Sequence, residues 1–213
     1  MRIADNGPHV ITRTPALPMN RSGAKPASTR PVGAVRIIGG QWRGTRLPVA
    51  DRDGLRPTAD RVRETLFNWL QPMLPGARVI DLFAGTGALG LEAVSRGARE
   101  AVLVECDPQL AGGLRQLAAK LPGGERIQVV CADALAWLQA AGGGFDLVFV
   151  DPPFAGDLWA PALAGLDGRL ADEAWLYVES PVSSPAVPGP AWRTHREGQT
   201  REVRYALYRR GQA

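Results

Sequence analysis

The run Arg78-Val79-Ile80-Asp81-Leu82-Phe83 breaks at Ala84-Gly85-Thr86-Gly87 and continues as Ala88-Leu89-Gly90-Leu91-Glu92-Ala93, a strand turning through glycines into a helix. No other stretch constrains the fold of the chain as strongly. Gly85, Gly87 and Gly90 satisfy G-x-G-x-x-G, a spacing that permits a tight turn, close approach of a ligand and close packing of helix on strand. The acid expected about 20 positions further on is Glu105. It ends the apolar run Ala101-Val102-Leu103-Val104, where a carboxylate can accept hydrogen bonds from ribose hydroxyls. A nucleoside-containing ligand is expected, and to this point nicotinamide dinucleotide and S-adenosylmethionine both fit. Asp81 separates them. A carboxylate four residues before the first glycine repels a pyrophosphate but favours a sulfonium and an α-ammonium group. Asp133, after the run Ile127-Gln128-Val129-Val130, adds a strand-end acid able to accept from an adenine amine.

A fourth strand-end acid carries different chemistry. Phe145-Asp146-Leu147-Val148-Phe149-Val150 reads as a buried parallel strand and leads into Asp151-Pro152-Pro153-Phe154. Consecutive prolines fix φ and remove two backbone donors, so this turn presents a carboxylate and carbonyl oxygens on a rigid backbone. Acceptors followed by an aromatic ring suit a planar base with an exocyclic NH2, held at its two N–H bonds while Phe154 stacks on its face. The competing reading is a Pro-rich turn capped by Asp.

From Arg78 onward strands and helices alternate. Strands are expected over 78–82, 100–105, 126–131, 145–150 and 174–179, with helices over 87–96, 109–120, 133–141 and 156–169. The fold class is α/β, a doubly wound, mostly parallel sheet. Trp192 to Arg196 and Val203 to Arg209 form a terminal hairpin joined by Glu197-Gly198-Gln199-Thr200. Ahead of the sheet, Val35 to Ile38 and Thr45 to Val49 read as a short hairpin. A helix then runs from an N-cap at Thr58 to about Leu70, with Val62, Leu66, Trp69, Leu70 and Met73 on its apolar face.

In combination these residues resemble a known family, the bacterial small-subunit ribosomal RNA guanine-N2 methyltransferases of the RsmD type, within the class I S-adenosylmethionine-dependent enzymes. The resemblance spans about residues 35 to 210. Its more specific part is N-terminal: Arg36-Ile37-Ile38-Gly39-Gly40-Gln41-Trp42-Arg43-Gly44, then Arg56-Pro57-Thr58-Ala59-Asp60-Arg61-Val62-Arg63-Glu64-Thr65-Leu66-Phe67-Asn68. The resemblance implies a seven-stranded sheet whose terminal hairpin adds an antiparallel strand, with S-adenosyl-L-methionine as cofactor. Carried over by position, Asp81 and Gly85, Thr86 and Gly87 line the methionine end, Glu105 the ribose, Asp133 the adenine, and Asp151, Pro152, Pro153 and Phe154 the target base. The implied partner is 16S rRNA within a small ribosomal subunit or assembly intermediate, and the protein is expected to act as a monomer. Read without the resemblance, the residues leave guanine N2 and adenine N6 both open. The reading from another class is an NAD-dependent oxidoreductase.

Charge is unevenly distributed. Residues 1–70 carry twelve lysines or arginines against five acids, and residues 71–213 carry thirteen against sixteen. Arginine supplies all but two of these cations, and its planar fork suits phosphates and bases. Arg36, Arg43, Arg46, Arg52, Arg56, Arg61 and Arg63, flanked by Trp42, are therefore expected to contact RNA; the competing reading is a solvated helix face. Three parts follow: a disordered basic tail over 1–33, an RNA-contacting extension over 34–74 and a catalytic domain over 75–213. His9 and His195 stand apart from each other and from Cys106 and Cys131, so no metal site is expected. The two cysteines read as small core residues in a reducing compartment. No apolar run approaches the ~18 residues of a membrane span, and residues 1–20 lack a signal-peptide apolar region, which leads to the expectation of a cytoplasmic protein without membrane contact.

Overall fold

The computed structural model describes residues 34–48 and 60–211. The chain forms the hairpin β1 (Ala34–Arg36) and β2 (Arg46–Pro48), then helix α1 (Asp60–Leu70). β3 (Arg78–Asp81), α2 (Ala88–Ser95), β4 (Glu100–Glu105), α3 (Pro108–Ala118), β5 (Ile127–Cys131), α4 (Ala134–Ala140), β6 (Phe145–Val150) and α5 (Trp159–Gly165) alternate as the periodicity predicts. β7 (Leu170–Pro181), β8 (Trp192–Gln199) and β9 (Val203–Arg210) complete a seven-stranded sheet of order β5-β4-β3-β6-β7-β9-β8. β3 to β7 run parallel, while β9 pairs antiparallel with both β7 and β8.

Successive strand residues face opposite layers. Val79, Leu103, Leu147, Phe149 and Tyr177 join one buried cluster, and Ile80, Val102, Val104, Val148 and Val178 the other. The first cluster also takes in Val35, Ile37, Trp42 and Leu47 from the hairpin and Leu66, Phe67 and Leu70 from α1. The hairpin and α1 thus share a core with the sheet. Strand order reverses between β3 and β6, and it is outside the carboxyl ends of strands at such a switch point that open α/β sheets bind ligands.

Several boundaries differ from expectation for local reasons. α2 starts at Ala88 because Gly87, its N-cap, is left-handed at φ 74°. α5 is shorter than 156–169: Gly156 at φ 125° holds a conformation closed to residues with a side chain, and the helix begins at Trp159. β7 is longer than 174–179 because Leu170 pairs with Phe145 of β6 at its start and β9 pairs with it from Trp175 to Pro181. The terminal turn also moves. β8 continues through Gln199, where Gly198 leaves room for the Tyr205 ring, so the connection is Thr200-Arg201-Glu202. Cys106 and Cys131 are exposed and unbridged, against the expectation of core residues, because Cys106 lies just past β4 and Cys131 ends the edge strand β5. The expected tail over 1–33 and the Thr58 N-cap lie outside the described residues. No described helix is long and apolar enough to cross a membrane.

Candidate active site

The carboxyl ends of β3, β4, β5, β6 and β7 open into one cleft of about 830 Å³. Its wall contains Asp81, Gly85, Thr86, Glu105, Asp133, Asp151, Pro152, Pro153 and Phe154, so the fold gathers these expected cofactor and base residues from the ends of four separate strands. Gly87 instead lies behind the wall. A Cβ there would come within 2.6 Å of Leu114 and 3.0 Å of Leu91, so this glycine serves helix packing. Gly85, at φ 52°, has only the Phe83 carbonyl oxygen, at 4.0 Å, near the position of a Cβ and brings the bare backbone to the cleft.

Each acid is held in place. Asp81, 2% exposed, accepts from the Gly90 N–H at 3.0 Å, joining β3 to α2. Burial pushes its carboxyl up to about 7; the Gly90 and Phe83 N–H groups oppose this rise and the Glu105 charge adds to it. The two carboxylate oxygens of Glu105 accept from the Gly85 N–H and the Asp107 N–H, both at 2.8 Å, tying the glycine-rich turn to the loop after β4. Asp107 caps α3 through Gln109 and Leu110, and Asp133 caps α4 through Ala136. A wall of acceptors over a bare glycine turn fits a ligand carrying ammonium, ribose hydroxyl and amine donors. Asp81 at the glycine turn also disfavours a pyrophosphate.

At the other end, Pro152 is buried and Phe154 is 41% exposed, its ring centroid 5.9 Å from that of Trp159. Three wall elements escaped the sequence reading. Val62 brings α1 to the cleft, and the Thr200 to Val203 turn closes over it, tied to the end of β7 by the Val182 N–H to Glu202 carbonyl bond at 2.9 Å. Glu179 is the third; it follows the apolar run Leu176-Tyr177-Val178 and is a strand-end acid of the kind that marked the other four.

The arginines divide. Arg36, Arg43, Arg46 and Arg61 are exposed, and Arg61 precedes the cleft residue Val62; Arg52 and Arg56 lie outside the described residues. Arg63 corrects the expectation of RNA contact. It is fully buried, donates to Asp60 at 2.6 Å and to the Arg36 carbonyl at 2.8 Å, and lies 3.6 Å from the buried Glu92 carboxylate. Glu92 in turn accepts from the Ile38 and Gly39 N–H groups at 3.0 and 2.9 Å. Trp42, which flanks these arginines in sequence, is buried as well. It is 3% exposed, its indole N–H donates to the Pro122 carbonyl at 2.9 Å, and Arg126 lies over its ring.

A sheet of this order, with glycine turn and acids at one end of its cleft and the Asp-Pro-Pro-Phe turn at the other, defines a class I S-adenosylmethionine-dependent methyltransferase. Residues 35–209 match the family described as Conserved hypothetical protein 95. The chain is 50% identical over 182 residues to Ribosomal RNA small subunit methyltransferase D of Escherichia coli (strain K12), covering 84% of this chain and 91% of that protein. It is 40% identical to the protein of the same name from Haemophilus influenzae, over 83% of this chain and 94% of the relative. The solved structure described as putative methyltransferase yhhF from Escherichia coli superposes with a TM-score of 0.75 at 47% identity, over 84% of this chain and 98% of that one. The chain belongs to this family, the one its residues resemble.

Proposed function

We propose that the protein methylates the exocyclic N2 of a guanine in 16S rRNA of the small ribosomal subunit, acting as a monomer on the subunit or an assembly intermediate. The observation that carries this reading is the opening of the Asp151 to Phe154 turn into the same cleft as Asp81, Glu105 and Asp133. The names of the full-length relatives support small-subunit rRNA as the substrate. Asp81, Gly85 and Thr86 are assigned to the methionine end of the cofactor, Glu105 to its ribose and Asp133 to its adenine.

S-adenosylmethionine, when bound, supplies an electrophilic methyl group. Guanine N2 is a weak nucleophile because its lone pair is delocalised into the ring, and the chain must help it pyramidalise. Asp151 and the Pro152 carbonyl accept from the two N–H bonds, and these hydrogen bonds strengthen as positive charge develops on nitrogen, which stabilises the transition state over the ground state. Phe154 stacks on the base, and holding the amine in line supplies further acceleration through proximity. As the N–CH3 bond forms and the S–CH3 bond breaks, N2 gives up one proton to Asp151 or to water. The base must be unpaired or flipped to reach the cleft.

Incubation with labelled S-adenosylmethionine and small-subunit particles lacking the modification, followed by nucleoside analysis, tests this directly. N2-methylguanosine is expected. N6-methyladenosine would transfer the site to the adenine reading, and absence of label in rRNA would overturn the assignment.

A further inference from the structure

Glu179 is buried at the base end of the cleft and has no part in the mechanism above. It follows Val178, which pairs with Val150 of the neighbouring parallel strand, so Glu179 within β7 and Asp151 just past β6 stand side by side and both line the cleft. Strand spacing of about 4.8 Å sets the two acids apart on the scale of a base edge. Two neighbours fix Glu179, which is 4% exposed. Its carboxylate accepts from the Tyr177 hydroxyl at 2.7 Å, and its main-chain carbonyl accepts from the Trp159 indole N–H at 2.7 Å. Trp159 in turn contacts Phe154. Burial, followed by the Glu179 charge, holds the fully buried Tyr177 hydroxyl in its protonated form, so it remains a donor to the carboxylate.

We propose that Glu179 is the specificity-determining residue for the target base: its carboxylate accepts the N1–H of the guanine whose N2 is held at Asp151. This rests on the guanine-N2 reading above. Guanine presents N2–H and N1–H as adjacent donors, whereas adenine presents an N6–H donor beside an N1 acceptor. Two neighbouring carboxylates only accept, so they complement the guanine edge and repel the adenine N1 lone pair. Tyr177 is the positioning residue that aims the carboxylate.

The test uses small-subunit particles reconstituted with ligated rRNA carrying either guanine or 2-aminopurine at the methylated position. 2-Aminopurine keeps the exocyclic amine and lacks the N1–H. The unmodified protein is expected to prefer guanine by about 10²-fold or more in kcat/KM, because a site built around a substrate N–H rejects the analogue lacking it. Glu179→Gln, whose amide can donate to a bare N1, should slow guanine and narrow the preference at least about tenfold, with cofactor affinity unchanged. Tyr177→Phe should move the ratio the same way and carries the test if Glu179→Gln does not fold. Rates on both bases falling together, with the ratio intact in both variants, would return Glu179 to a structural role. Methylation by the unmodified protein at an atom other than guanine N2 would remove the underlying reading before any variant is compared.

Discussion

Asp81 lies beneath the glycine-rich turn with a carboxyl that ionises only near pH 7, so the free protein carries it partly protonated at neutral pH. Because its folded pKa is raised from 3.8, the native state holds a proton between about pH 4 and pH 7 that the unfolded chain has lost. Its contribution to stability is complete below about pH 4 and gone above about pH 7. A cationic ligand favours the ionised form, so S-adenosylmethionine should bind progressively more weakly as pH falls from 7 to 5, by up to about tenfold per unit. Calorimetric affinities at these pH values check this, and in Asp81→Asn the slope should flatten around a weaker baseline. At Asp151 the effect falls on rate. Asp151→Ala should slow single-turnover methyl transfer by roughly 10² to 10³, as loss of one transition-state hydrogen-bond partner does elsewhere, with cofactor affinity retained. Asp151→Asn, which keeps one acceptor without the charge, should fall between. Full activity in Asp151→Ala would reduce the Pro-Pro turn to a structural feature.

Helix α2 joins two functions that the sequence presents separately. Its start follows the glycine turn of the cofactor end, and its last turns carry Glu92 and Ser95, which anchor the segment after β1. Ser95 Oγ accepts from the Trp42 N–H at 2.9 Å and donates to the Gly39 carbonyl at 2.6 Å, while its main-chain carbonyl accepts from the Gln41 N–H at 2.8 Å. Gly40 passes so close, at φ 75°, that a Cβ would collide with the Ser95 carbonyl. Arg63 on α1 completes the junction by pairing with Asp60 and approaching Glu92. Glu92 keeps the Arg96 guanidinium at 2.7 Å, but Arg63→Ala removes a fully buried side chain and its hydrogen bonds to the Arg36 carbonyl and Asp60, so it should destabilise the protein by about 2–4 kcal/mol in urea unfolding. A change under about 1 kcal/mol would show that the junction contributes little.

Across the whole molecule the exposed arginines Arg36, Arg43 and Arg61 lie on the hairpin and helix that share the core of the catalytic sheet, with Arg61 next to a cleft residue. Replacing all three by Ala should lower the slope of log affinity for rRNA against log salt by about two to three if each meets a phosphate, while cofactor affinity stays unchanged. An unaltered slope would make them a solvated face. Much of this architecture was legible beforehand because its signals are local. Continuous apolar runs marked β3 to β6, glycines marked the turn that needs positive φ, and acids directly after those runs marked Asp81, Glu105, Asp133 and Asp151. What stayed hidden depends on partners distant in sequence. Arg63 looked like a solvated or RNA-facing cation until Glu92, 29 residues away, and the Arg36 carbonyl proved to bury it; Trp42, which flanks the arginine cluster in sequence, is buried with its indole N–H on the Pro122 carbonyl, 80 residues away. Glu179 carried the same strand-end signal as the other acids, but only the β6–β7 pairing sets it beside Asp151. Sequence by itself determined the layers, the chemistry of the cleft and the end of the sheet where it lies. Tertiary structure alone decided which charges face solvent and which are spent inside, because burying a charge depends on a compensating partner that no local pattern records.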